Sequence, residues 1–160
     1  MKKFLSVSTI FACISFIFAL AFLILYAVNV NVDGYFQGIK ATNVVMFAVI
    51  ALVLDLIIVV GTLPPVHGYA KNVVDVIICA CKAFVPMLLA FGAMNLLSAR
   101  LEGIGYILFS NVDVAKEVAT PANVSSAVVS IVAISVALVA MLVSIVGAFM
   151  LPKEKEAVVE

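Results

Sequence analysis

Asp75, Cys79, Lys82 and Pro86 follow one another at spacings of four, three and four, so a helix carries them on one face. Nearly everything else between Asp75 and Ser98 is apolar, which makes the stretch a helix inside a membrane span. An ammonium near the middle of a bilayer costs roughly 2.5–3.5 kcal/mol on insertion scales, so Lys82 is expected to face other helices or a wet cavity, beside an anion. Asp55, in the preceding apolar run, is the expected partner. It stands eight residues before Leu63, and Lys82 stands ten after Asn72. At about 1.5 Å per residue both then lie roughly 12–15 Å from the same membrane edge. Pro86 has no amide hydrogen for the carbonyl of Lys82, so a kink and a free acceptor are expected at that level. A network of Asp55, Asp75 and Lys82 fits two purposes. It is either a route for an ion or proton, or an internal ion pair that fixes helix register with Asp75 near the interface.

Other reactive groups are sparse. Cys79 and Cys81 point about 200° apart on a helix, and Cys13 belongs to another span, so no disulfide joins them without unwinding. His67 is the single histidine, which leaves no bis-histidine haem or histidine-based metal cluster within one chain. There is no Walker-type or dinucleotide glycine motif, the basic residues are scattered and the net charge is zero, so no nucleic acid is expected as a partner. With no nucleophile and base in register and no ligand cluster, the expectation is a protein that is not an enzyme and holds no cofactor or metal. Asn95 is expected to hydrogen-bond between helices.

The elements that must position these groups follow from composition. The chain has 160 residues, 66% of them hydrophobic and 11% charged, with a mean hydropathy of +1.33. A soluble domain of this size cannot keep so much apolar surface from water. Four runs of spanning length, Phe4–Val28, Val44–Thr62, Val73–Leu97 and Val124–Leu151, predict an all-α membrane protein: one domain, residues 1–160, folded as an up-down bundle of four transmembrane helices. Met1-Lys2-Lys3 before an apolar run resembles a signal peptide, but the run continues through Val28, so an uncleaved span is expected. Lys2, Lys3, Lys71, Lys153 and Lys155 against Lys40, Arg100 and Lys116 place both termini on the cytoplasmic side of the cell membrane.

Two stripes of small residues stand out. Ser8, Ala12, Ser15 and Ala19 share a face of the first span; Ser126, Ser130, Ala133, Ala137, Ala140, Ser144 and Gly147 form a heptad seam on the last. Where lipid is as apolar as leucine, such seams permit close backbone approach. They are expected either to pack on each other or to face another protein. Phe11, Phe16, Phe18 and Phe22 are assigned to lipid or bulky packing, and Tyr26 to the outer interface. Outside the membrane, the alternation around Asp33-Gly34 predicts a β-hairpin from Asn29 to Gly38, with Gly105–Ser110 a candidate strand beside it and Asp113–Val118 a helical turn, the alternative being irregular loops that lie on the headgroups. Thr120 and Pro121 are the expected cap and first residue of the last helix. Pro64 and Pro65 end the second span in a tight return. Beyond the lipid bilayer, the expected partner is another membrane protein or a second copy of this chain. The function expected is an accessory or scaffold subunit, the alternative a homo-oligomeric transporter or channel built on the buried charges.

Overall fold

The computed structural model of the chain describes residues 7–62 and 69–150, apart from the side chains of Thr42, Tyr69 and Ala70. Five helices follow one another: α1 (Val7–Asn31), α2 (Thr42–Thr62), α3 (Tyr69–Phe109), α4 (Val112–Val118) and α5 (Pro121–Phe149). The four longer ones are long and apolar enough to cross a membrane. Helix α1 packs on α2 and α5, and α3 packs on the same two, so the four form a ring. Thr9 at the start of α1 bonds Thr62 at the end of α2, and Ser8 reaches Gly147 near the end of α5. Arg100, late in α3, reaches Ile39 just before α2. Neighbours are therefore antiparallel.

Each long helix is apolar nearly all round, so the buried face is set by size rather than by polarity. On α1 it carries Ser8, Ala12, Ser15 and Ala19, and on α5 Ser126, Ser130, Ala133, Ala137, Ala140, Ser144 and Gly147. A Cβ added to Gly147 would come within 2.8 Å of the Cβ of Phe11, so only glycine lets these backbones approach so closely. Of the two places expected for it, lipid or bulky packing, Phe22 takes the second: it is fully buried, against the bare backbone of Gly92 on α3.

Helix α3 is longer than the span expected for it. It runs unbroken through Pro86 for 41 residues, about 60 Å at 1.5 Å per residue and about twice the hydrocarbon thickness of a bilayer. Its last turns join the α1–α2 connection, α4 and the start of α5 in a cap with its own core of Phe36, Ile104, Ile107 and Ala127.

That cap corrects the expected outer β-structure, since no strand occurs among the described residues. Asn29 and Asn31 still belong to α1, and residues 32–38 are bends and turns. Two opposed extended strands cannot form because Phe36 is drawn into the cap core; Gly34 (φ +152°) and Gly38 (φ +73°) turn the chain, and Gly38 N–H donates to Val30 O at 2.9 Å. Gly105–Ser110 is not a strand either. Leu96, Arg100, Ile104 and Ile107 continue one buried face of α3 at helical spacing, and that face holds the segment in the helix as far as Phe109. The helical turn expected at Asp113–Val118 is α4, capped by Asn111, whose side chain accepts from Val114 N–H. Thr120 caps α5 through Asn123 N–H, with Pro121 as its first residue. His67, Pro64, Pro65, Lys2, Lys3, Lys153 and Lys155 lie outside the described residues.

Candidate functional site

Ala48, Ala51, Asp55 and Ile58 recur along one side of α2, the side turned to the bundle interior. Asp55 is thereby carried inside, 1% exposed. Across from it, α1 offers Ser15 between the small residues Ala12 and Ala19, and its hydroxyl donates to Asp55 Oδ2 at 2.9 Å. Ser15 Oγ also hydrogen-bonds Ser144 Oγ of α5. Each hydroxyl has one proton. If Ser15 gives its proton to Asp55, Ser144 is the donor to Ser15, and its alternative acceptor is the carbonyl of Ala140 at 2.9 Å. The result is a hydroxyl chain, Ser144 to Ser15 to Asp55, that crosses three helices and ends on a carboxyl group.

Lys82 reaches the same place from α3. Asp55, Lys82, Ser8 and Ser144 line one cavity with about 10 Å³ of free space, room for one water, walled otherwise by groups such as Ala12, Ile58 and Val85. The structure thus brings Asp55 and Lys82 to one cavity, but the hydrogen bond to Asp55 comes from Ser15, and no ion pair joins it to Lys82 among the described residues. Asp75 is not brought there: it is exposed, two helical turns before Lys82. Pro86 adds a carbonyl, that of Lys82, without its usual intrahelical donor.

The two small-residue stripes meet. Ser8 bonds Gly147 O at 3.2 Å, Ser15 bonds Ser144, and Asn29 Nδ2 donates to Ser126 O at 2.8 Å. Their faces are turned inward and are not free for another protein. Asn95 does not bond between helices; its amide donates to Phe91 O one turn back. Tyr26 is buried, and its hydroxyl both donates to Ala41 O and accepts from Ala41 N–H, fastening the α1–α2 connection. Cys79 is exposed and Cys81 buried, on opposite sides of α3, and Cys13 is half-buried; all three are free thiols. Among the described residues no three metal-ligating side chains cluster.

Arg100 is the polar residue that sequence reasoning misplaced. Counted there among the basic residues of an outer loop, it is completely buried in α3. Its Nη2 donates to Ile39 O at 2.7 Å, and its guanidinium lies 4.5 Å from the centre of the Phe36 ring. Nε and Nη1 have no partner. The available signal was its register: Leu96, Arg100 and Ile104 stand four apart, on the face that the preceding apolar residues already bury.

Comparison with known proteins adds no relative: no family model matches the sequence, and neither the curated proteins nor the solved structures contain a significant match.

Proposed function

We propose that this chain is a multi-pass protein of the cell membrane, crossed by α1, α2, α3 and α5 with both termini cytoplasmic, and that it serves without catalysis as an accessory or interaction subunit of another membrane protein. The observation that carries this reading is the far end of α3. Phe109 is 82% exposed and Val112, across the turn into α4, 73% exposed. At 1.5 Å per helical residue Phe109 stands about 13 Å beyond Arg100, and on this reading it and the adjoining Val112 sit on a cap above the spans. Large side chains left bare outside the hydrocarbon mark a contact surface. The small-residue seams are consumed inside the bundle, so the partner belongs on the cap. Photo-crosslinking residues at Phe109 and Val112, with Val146 of α5 as a lipid-facing control, test this. A discrete larger protein captured from the two cap positions alone is the expected result; lipid adducts alone at all three positions would remove the accessory reading.

A second reading, a homo-oligomeric transporter or channel, has its own support in Asp55, buried among apolar residues at the end of a hydroxyl chain and facing the cavity that Lys82 lines. Crosslinks between copies of the chain, together with a proton or ion flux in liposomes that Asp55→Leu abolishes, would place it first.

A further inference from the structure

We propose that Arg100 is the core of an oxyanion-binding site, for a phosphate group, closed by the α1–α2 connection. Arg100 is 0% exposed, and of the five N–H donors of a guanidinium only one is matched, by the carbonyl of Ile39. The Phe36 ring face attracts the cation as well. Neither neighbour bears a full negative charge, and no carboxylate lies within ion-pair reach among the described residues. A buried cation ordinarily has an anion beside it. Nε and Nη1, both orphaned, belong to the two edges of the guanidinium that grip an oxyanion; each edge is completed by a different proton of Nη2, and one of those two protons is held by Ile39 O. A two-oxygen anion therefore has one free fork, on the edge whose Nη2 proton Ile39 O does not hold, and a second once that bond is broken.

The cover is the chain between Val32 and Ala41. It lies over Arg100 through the Phe36 ring and the Ile39 carbonyl, and its two glycines hold positive φ, at Gly34 and Gly38. Lifting Phe36 and breaking the single bond to Ile39 O frees both forks. Because Arg100 sits where the spans give way to the cap, the phosphate can be that of a lipid headgroup or a free phosphate; the chemistry at the guanidinium is the same. This site is independent of both functional readings above.

The test uses the full chain in mild detergent. Thermal unfolding is followed during titration with sodium phosphate and, at matched ionic strength, sodium chloride, and native mass spectrometry measures retained phosphatidylglycerol before and after delipidation. The expected result is a saturable stabilisation by phosphate that chloride does not give, or phosphatidylglycerol retained one per chain; the first identifies a free anion and the second a headgroup. Arg100→Gln is expected to weaken either interaction about 10- to 100-fold, with Arg100→Lys between the two. Phe36→Leu, which keeps the fork and thins the cover, is expected to tighten apparent binding. Should Arg100→Gln not fold, the titration of the unaltered chain and Phe36→Leu still decide. Equal responses to phosphate and chloride with no phospholipid retained would overturn the proposal and leave Arg100 a clamp on the connection; unaltered binding in Phe36→Leu would remove the cover from it.

Discussion

Ser15→Ala is the sharpest probe of the bundle interior. Ser15 provides the hydrogen bond that reaches Asp55, at 2.9 Å, and Asp55 is 1% exposed, so bulk water does not replace the lost donor and the adjoining cavity has room for one water at most. Leaving a buried polar group without its partner costs about 1–3 kcal/mol, so the substitution is expected to cost about 2 kcal/mol, roughly a 30-fold change in the unfolding equilibrium. Asp55→Leu acts differently. It removes the group that needs solvation, adjoins a cavity with about 10 Å³ to spare, and leaves Ser15 bonded to Ser144. The double variant, Ser15→Ala with Asp55→Leu, is therefore expected to be about 1–2 kcal/mol more stable than Ser15→Ala alone, because the buried carboxyl that lost its donor is gone. Equilibrium unfolding of all four forms in mixed detergent micelles gives the coupling directly. Strict additivity, with Asp55→Leu the costlier single change, would show that Asp55 takes no support from Ser15.

The neighbouring Lys82 carries a smaller expectation: Lys82→Met is predicted to change stability by less than about 1 kcal/mol, since the lysine is half-buried and makes no ion pair with Asp55, and a loss above about 2 kcal/mol in the same unfolding assay would contradict this. Ala137→Leu inserts three carbons at a fully buried position of the seam and is expected to cost about 1–3 kcal/mol; an unchanged melting temperature and oligomeric state would count against tight packing there. At Gly103 an added Cβ would come within 2.6 Å of the Phe36 ring, so Gly103→Ala is predicted to destabilise the cap despite a gain of up to about 1 kcal/mol in helix propensity. The Tyr35 ring lies within 2.7 Å of the same added Cβ, so the change is expected to become stabilising only in a background that carries both Tyr35→Ala and Phe36→Ala, a reversal of sign readable by thermal melts. A reporter fused to the C-terminus is expected to be active on the cytoplasmic side; activity only outside would invert the proposed orientation.

The apolar runs alone located all four long helices, because residues that shun water over a spanning length leave little choice of structure. Small side chains also told which faces would be buried: Ser8 to Ala19 and Ser126 to Gly147 are inside, since only there can backbones approach. The cap was not legible. Leu101 to Phe109 mixes two glycines with aromatic and branched residues, a composition that suits a strand as well as a helix, and the deciding factor is Phe36, more than sixty residues away, filling the space above Gly103. Asp55 and Lys82 were placed at one depth by counting residues, and they do share a cavity; the serines that reach Asp55 could not be foreseen, because side-chain bonds across helices depend on rotation about each axis. Arg100 was hidden by a habit of inference: a basic residue past the end of an apolar run reads as solvated unless its register with the preceding buried face is followed.

The length of α3 has a mechanical meaning. A continuous helix of 41 residues has a half-length of about 30 Å, so if it pivots near its middle by about 10° as one body, without bending at Pro86, each end swings by about 5 Å. One end carries Asp75 and, two turns inward, Lys82 on the wall of the Asp55 cavity; the other carries Arg100, Ile104 and Ile107 beneath the cap. The two ends therefore cannot be displaced separately while the helix stays straight. If a partner seated on the cap tilts the helix as one body, Lys82 moves relative to Asp55 in the opposite sense.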